Sequence, residues 1–343
     1  MKDQFATLAE RSRFDEIIDV RTPAEYAQDH LPGAINAPVL TDAERIVVGT
    51  LYKQNPFEAT RVGAAMVARN LAQHLDTLFA DRPHTWRPMV YCWRGGKRSG
   101  SMTAWMNLIG WRARQLAGGY KAYRQWVLEQ LVHIPGRFQF VLLTGYTGCG
   151  KTRLLEALAA QGAQVMDLEG LACHRGSILG ALPDVAQPSQ KAFDSHLVMA
   201  LASMNTDRPV FIEAESKRVG LLHLPEALMQ AMRAGRVVEV QADTNARVAY
   251  LCRDYAHLFA QPALFKSQLS RLTALHGKQM IEHWHALIEQ QAMQPLFTEL
   301  ITHHYDPAYR RSSPLKHQPV GCTLQIDPTS DLRSAATSLL ANF

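Results

Sequence analysis

Two short stretches of this chain combine residue types whose spacing suits chemistry on anions. The first is Cys92-Trp93-Arg94-Gly95-Gly96-Lys97-Arg98-Ser99, which follows the apolar run Met89-Val90-Tyr91 and leads into a helix-forming segment. A cysteine at the head of such a strand–loop–helix turn meets backbone N–H groups, the positive end of a helix and three cations, Arg94, Lys97 and Arg98. All three favour thiolate over thiol. The same cradle suits an anionic group carried to or from sulfur, with Arg98 placed to grip it bidentately.

The second stretch, Gly145-Tyr146-Thr147-Gly148-Cys149-Gly150-Lys151-Thr152, fits G-x-x-x-x-G-K-[ST]. It lies between a strand-like apolar run at 138–143 and a helical run at 153–161. Glycines let backbone N–H groups turn inward as an anion nest, Lys151 reaches terminal phosphates, and Thr152 can hold Mg²⁺. A diphosphate or triphosphate site is expected, with Gly145, Gly148, Cys149, Gly150, Lys151 and Thr152 around it. Cys149 reads as a small filler rather than a nucleophile. Glu213, ending the apolar run Val210-Phe211-Ile212, is the expected carboxylate for a metal-bound water, with Glu215 as second choice.

The elements needed to position these stretches are legible as alternating strand and helix patterns in both halves, which predicts an α/β protein. Pro135 and Gly136 punctuate the chain, so residues 1–135 are expected as one domain and 136–343 as a second. Strands are predicted around 16–21, 89–93, 138–145, 162–170, 208–215 and 235–243, and a late one near 321–327. Residues from about 245 to 300 read as a helical appendage. Composition is that of an ordinary globular chain, 47% hydrophobic and 20% charged, which excludes disordered and fibrous classes. No apolar run reaches membrane-span length, the amino-terminal residues lack a signal-peptide core, and five scattered cysteines without C-x-x-C spacing argue against disulfide or zinc frameworks. A cytoplasmic protein is expected.

Charge adds a partner class. Between Asp81 and Glu129 there is no acidic residue, while nine Lys or Arg occur there, including Arg112 and Arg114, together with five of the six tryptophans. Cations interleaved with aromatics suit phosphate attraction plus base stacking, as expected for loop RNA. His174-Arg175-Gly176-Ser177 reads either as a phosphate or tRNA contact or as a solvated basic turn. The cluster Thr302-His303-His304-Tyr305-Asp306-Pro307-Ala308-Tyr309-Arg310-Arg311 reads either as an RNA-backbone contact or as a surface loop.

The segment Ile18-Asp19-Val20-Arg21-Thr22-Pro23-Ala24-Glu25-Tyr26, followed by His30-Leu31-Pro32-Gly33-Ala34-Ile35-Asn36-Ala37-Pro38, resembles the amino-terminal signature of rhodanese domains, and the Cys92 loop resembles their active-site loop. Asp19, Arg21 and His30 are then expected in structural roles. Rhodanese sulfurtransferase loops read C-R-x-G-x-R, whereas Cys92 to Arg98 is C-x₅-R, one residue longer, which implies a bulkier group than plain sulfane sulfur. A rhodanese-like stretch followed at once by a P-loop, with further matching runs at 167–177, 187–195 and 210–220, resembles the bacterial tRNA 2-selenouridine synthases over nearly the whole chain. The resemblance implies an α/β chain with a rhodanese-like domain and a P-loop NTPase-like parallel-sheet domain. It also implies a transferase that replaces sulfur by selenium at position 2 of a thiolated wobble uridine. Geranyl diphosphate would S-geranylate the base, with its diphosphate on the P-loop and departing with help from Mg²⁺ and Lys151. Selenophosphate would be the selenium donor, and Cys92 would carry or deliver selenium with Arg94, Lys97 and Arg98 binding the anion. The implied partners are the tRNA anticodon loop and a selenophosphate synthetase, with no tightly bound organic cofactor and no membrane. The apolar faces of 245–300 offer either a pocket for the ten-carbon chain or simply core. The alternative is a rhodanese sulfurtransferase fused to an ATP-dependent kinase or NTPase.

Overall fold

A computed structural model describes residues 4–177, 179–181, 185–214, 216–312 and 319–343. The chain divides into two compact units, Met1–Gln130 and Leu131–Phe343. Both are α/β, and among the described residues no helix is long and apolar enough to cross a membrane.

Unit 1 is a five-stranded parallel sheet of β1 (Phe5–Ala6), β2 (Glu16–Asp19), β3 (Ala34–Asn36), β4 (Pro88–Tyr91) and β5 (Arg114–Leu116), in the order β1-β5-β4-β2-β3. Its helices are α1 (Pro23–Gln28), α2 (Asp42–Gln54), α3 (Pro56–Asp76), α4 (Lys97–Ile109) and α5 (Gly119–His133), which runs on into unit 2. Every residue of β4 is buried, as a central parallel strand requires. Local chemistry starts the helices. Thr22 and Glu25 exchange hydrogen bonds across the first turn of α1 with Pro23 inside it, and Thr41 and Glu44 do the same for α2.

The connection from β2 to β3 and that from β4 to β5 leave in opposite directions, so the crevice at the carboxyl ends of β4 and β2 is where a ligand is expected in such a sheet. Cys92 sits there. Trp86 and Trp111 are core residues packed edge to face at 5.0 Å, whereas Trp93 and Trp105 are exposed and Trp126 is half-buried.

Unit 2 has a second parallel sheet of β6 (Phe140–Thr144), β7 (Gln164–Met166), β8 (Val210–Glu213), then, beyond the small hairpin β9 (Arg218–Val219) and β10 (Leu222–His223), β11 (Arg236–Gln241) and β12 (Val320–Gln325). Its order is β12-β11-β6-β8-β7. The helices α6 (Lys151–Ala160), α7 (Leu168–Ala172), α8 (Gln190–Ala202) and α9 (Glu226–Arg233) connect the strands. The chain leaves β6 toward the β8 side and later passes from β8 to β11 on the other side of β6, which again puts a crevice at the carboxyl end of the central strand.

Between β11 and β12 comes the helical block: α10 (Thr244–Asp254), α11 (Ala256–Phe259), α12 (Pro262–Ser270), α13 (Thr273–His276), α14 (Lys278–Glu289), α15 (Met293–Glu299), a π-helical segment Leu300–Tyr305 and α16 (Asp306–Ser312). The last helix is α17 (Arg333–Leu340). The apolar faces of the block close on one another around Trp284, Phe265, Leu269 and Phe297, forming a core of their own. The His–Tyr–Arg cluster at 302–311 is therefore helical, not a surface loop. Pro307 lacks an N–H and would press on the carbonyl four residues back; the helix widens to π geometry just before it, which admits the ring without a break.

Candidate functional site

The Cys92 side chain is buried, and its sulfur accepts from the Gly96 N–H at 3.3 Å and the Ser99 hydroxyl at 3.2 Å. Gln115, reaching across from β5, donates to the Ser99 hydroxyl at 2.9 Å and to the Gly96 carbonyl at 3.2 Å, so the hydroxyl is held in place. The first turn of α5 fixes the other side of the loop, Tyr120 N–H bonding Cys92 O and Lys121 N–H bonding Trp93 O, both at 2.9 Å. Gly119 permits this approach: it has φ +57°, and a Cβ there would come within 2.6 Å of Gly95 N. Burial alone pushes the Cys92 thiol up. Hydrogen bonds from the Ser99 side chain and from the backbone N–H groups of Ser99, Arg94 and Gly96 outweigh it, and the thiol lies below its ordinary range.

Behind the loop is a closed polar network. Asp19 and Arg21 are fully buried, Arg21 holding both carboxylate oxygens and the Asp29 carbonyl, while the Tyr91 hydroxyl donates to Asp19 at 2.7 Å. The Arg21 guanidinium lies 4.0 Å from the Tyr120 ring centroid. His30 stacks on Tyr26 and bonds its carbonyl. These are the structural positions expected for Asp19, Arg21 and His30.

In unit 2 the P-loop spans Gly145 to Thr152, and Gly150 turns it into α6 with φ +84°, where a Cβ would press within 2.9 Å of Pro328. Lys151 Nζ rests on Gly145 O at 3.0 Å, and the Thr152 hydroxyl donates to Glu213 at 2.7 Å. Register explains the Glu213 contact: Glu213 pairs with Leu143, at the top of the strand that carries the loop. Burial raises the Glu213 carboxyl above its usual range, against the opposing pull of Lys151 and the Thr152 hydrogen bond. Burial likewise pushes the Cys149 thiol up, as suits a filler.

The loop is braced from the helical block. Arg247, buried on α10, donates to Thr147 O at 2.9 Å and pairs with both oxygens of Asp306. Tyr309 on α16 bonds the Gly145 N–H at 2.9 Å and the Thr144 hydroxyl. The loop opens onto a cavity of about 900 Å³. Its lining includes Lys151, Thr152 and Glu213, the apolar Leu251, the tyrosines Tyr255, Tyr305 and Tyr309, and the charged Arg175 and Asp254.

Two family profiles match: the rhodanese-like domain over residues 1–125 and the tRNA 2-selenouridine synthase AAA domain over 138–271. A tRNA 2-selenouridine synthase of Hydrogenovibrio crunogenus is 31% identical over 93% of this chain and 94% of its own. Another, of Aeromonas salmonicida, is 31% identical over 85% and 86%. The chain belongs to the tRNA 2-selenouridine synthase family. A further family member, of Nitrosomonas europaea, is 37% identical over 70% of this chain, which spans 63% of that relative, just under two thirds.

Within this synthase-family chain the predicted residues fall into separate groups. Arg94 and Lys97 are exposed on the Cys92 loop. Arg98 on α4 is turned to Glu25, at 2.6 Å and 3.3 Å, so its charge closes the loop onto α1. Arg112 is exposed just before β5 and Arg114 begins that strand, which places both at the amino edge of the sheet, opposite the end that carries Cys92. His174 and Arg175 line the P-loop cavity, Arg175 bonded to Asp254 at 2.7 Å; burial lowers the His174 imidazole. Glu215 lies outside the described residues. Ser99, Gln115, Arg247 and Tyr309 as supports of the two loops are additions from the structure. Ser99 alone had a local signal, a hydroxyl one turn into the helix after the loop.

The donor set fits Mg²⁺: a hydroxyl and a carboxylate oxygen side by side beneath a phosphate-binding loop are hard ligands, of the kind that leave most of the coordination sphere to water and phosphate. Among the described residues there is no cluster of three or more His, Cys, Asp or Glu that could hold a metal alone.

Proposed function

We propose that this chain is a tRNA 2-selenouridine synthase that geranylates the sulfur of a thiolated wobble uridine at the P-loop and delivers selenium at Cys92, working in the reducing cytoplasm. The observation that carries the reading is the P-loop cavity, which joins a diphosphate cradle to a lining that includes Leu251, Tyr255, Tyr305 and Tyr309, in a chain that also holds an activated cysteine. A nest of N–H groups with Lys151 binds the diphosphate of geranyl diphosphate and takes up its charge as it leaves. Thr152 and Glu213 would hold Mg²⁺, which would supply further neutralisation of that leaving group.

The bond changes follow from elementary reactivity. The thiouridine sulfur attacks C1 of the geranyl chain, diphosphate departs, and N3 of the base gives its proton to solvent. A thiocarbonyl sulfur is a poor leaving group, whereas the S-alkyl group can leave as a thiol. Selenium from selenophosphate adds at C2, geranylthiol departs, and water removes the phosphoryl group. The Cys92 loop, with Arg94 and Lys97 exposed on it, binds the selenium donor and delivers it. The anticodon loop of tRNA and a selenophosphate synthetase are the partners this chemistry requires.

Purified protein is to be incubated with thiolated tRNA and geranyl diphosphate, with and without selenophosphate, followed by nucleoside mass spectrometry. Geranylated and then selenated uridine is expected, with Cys92→Ala impaired at selenation and Lys151→Ala slowed at geranylation by about a thousandfold. An unchanged nucleoside together with ATP hydrolysis would move the assignment to a sulfurtransferase fused to an NTPase.

A further inference from the structure

Alkylation of a thiocarbonyl sulfur leaves the base positively charged until its N3 proton departs, and N3 is bonded to the carbon that carries that sulfur. A base alkylated in the P-loop cavity therefore needs a proton acceptor in the cavity lining. Three carboxylates of that lining already have partners: Glu213 accepts from Thr152, Asp167 from the Gly170 N–H, and Asp254 from Arg175. His304 lines the same cavity and is held differently. Its Nδ1 lies 3.1 Å from Nε2 of His276 on α13, with the ring centroids 5.2 Å apart, and the far side of His276 packs on Trp284. That contact uses Nδ1, so Nε2 is the nitrogen left to the cavity. His304 sits in the π-helical segment, five residues before the Tyr309 whose hydroxyl bonds the Gly145 N–H. Five residues advance a helix by roughly 7 Å. The groups that act on the pair are cationic or neutral. Burial first, then His276 and Arg311, hold the His304 imidazole down at about 4, and burial, His303 and Arg311 hold His276 below its ordinary value. Both rings are neutral at pH 7, and Tyr305 packs on His304 from the other side.

We propose that His304 Nε2 takes the N3 proton of the base as its sulfur is alkylated, while His304 Nδ1 passes its own proton to His276 Nε2. The inference rests on the reading of the P-loop cavity as the alkylation site. The N3–H bond breaks with its electron pair left on the base, which becomes neutral; an N–H bond forms at His304 Nε2, one breaks at His304 Nδ1, and one forms at His276 Nε2. His304 ends neutral. The charge ends on His276, which stands between the exposed Leu275 and Gly277 and gives a proton up to water. The relay explains how a ring too buried to keep a proton at neutral pH can still accept one: the charge does not stay on it.

The test uses the full chain with thiolated tRNA and geranyl diphosphate. Single-turnover rates are read from S-geranylated nucleoside, and binding of geranyl diphosphate without tRNA is read by calorimetry. His304→Ala should slow alkylation by about a hundredfold while diphosphate binding changes by less than about twofold, and added imidazole should recover about tenfold of the loss. His276→Gln can still accept a hydrogen bond from Nδ1 but cannot carry the proton, and should be slower by about tenfold. His304→Gln carries the rate and binding arms if the alanine variant does not fold. A His304 variant within about threefold of the wild type, or a slow His304→Ala that imidazole does not raise, overturns the proton acceptor. A His276→Gln rate equal to that of the wild type overturns the relay. Failure of the wild type to bind geranyl diphosphate or to alkylate the tRNA overturns the reading of the cavity, and this inference with it.

Discussion

The Cys92 loop and the P-loop are built on one plan, a buried parallel strand, a glycine-rich turn and a helix, yet they handle charge in opposite ways. At Cys92 the amides and the Ser99 hydroxyl point at an atom of the protein, and the sulfur they stabilise is enclosed by its own unit's short-range contacts. At the P-loop the turn opens onto a cavity, Lys151 lies back on a loop carbonyl, and the carboxylate beside Thr152 is held against the cost of burial. One turn stabilises an atom of its own, the Cys92 sulfur. The other is arranged for an anion that arrives. Their supports differ accordingly. Behind Cys92 stands the Asp19–Arg21 pair, both members at most 1% exposed; behind the P-loop stands Arg247–Asp306, whose Asp306 side chain keeps 17% of its exposure.

The sharpest way to break this contrast is to remove the two arginines. Arg21→Met strands a fully buried carboxylate and is expected to cost about 3–5 kcal/mol, unfolding unit 1 first. Arg247→Met leaves Asp306 within reach of water and should cost about 1–3 kcal/mol, while raising KM for the diphosphate substrate because Thr147 O loses its brace. Denaturant titration followed by tryptophan fluorescence separates the arms, since five of the six tryptophans lie in unit 1. Equal losses for the two variants would erase the distinction between a closed and an open support.

A smaller effect sharpens the other half of the comparison. Ser99→Ala removes one of the hydrogen bonds that offset burial at Cys92, so the thiol should titrate at higher pH than in the wild type. Alkylation by iodoacetamide at neutral pH is expected to slow by up to about tenfold, roughly the 1.5 kcal/mol of a hydrogen bond to a charged group. A pH–rate midpoint that stays in place would assign the thiolate to the backbone amides alone.

Both turns were legible in the sequence because each is contiguous: eight residues carry the anion-binding geometry, and the flanking strand and helix patterns fix its context. The parallel α/β class and the core strands were readable for the same reason, since central strands are unbroken apolar runs. What was not legible came from far along the chain. Gln115 reaches Ser99 from 16 residues away, Arg98 finds Glu25 across 73, and Tyr309 reaches Gly145 across 164, with no spacing rule to announce any of them. Arg98 read as an anion clamp because its neighbours in sequence are cations; its neighbour in space is a carboxylate. The cluster ending at Arg311 read as an RNA-backbone contact or a surface loop; it is helical, with a π-helical segment just before Pro307. The apolar faces of the helical block carried no mark to distinguish core from pocket; they close on a core of their own, and from the predicted appendage Tyr250, Leu251, Arg253, Asp254 and Tyr255 line the cavity.

The smallest expected effect tests whether the P-loop really waits for its ligand. Burial lifts the Glu213 carboxyl above its ordinary value, so the folded chain binds that proton more tightly than the unfolded chain does. The stability this contributes is complete below the ordinary glutamate range, near pH 4.3, and is lost as pH rises through the folded value. Ionisation of the side chain as pH rises therefore works against folding. Glu213→Gln cannot ionise and keeps an oxygen to accept from Thr152, so at pH 7 it should be more stable by about 1 kcal/mol, or about 2–4 °C in the melting of unit 2. The difference should vanish as pH falls toward 4.3, and diphosphate-dependent turnover should drop although the fold is firmer. If the glutamine variant instead melts earlier at pH 7, attraction between Glu213 and Lys151 outweighs burial. The P-loop would then be a satisfied network like the one behind Cys92, not a site held at a cost until its ligand binds.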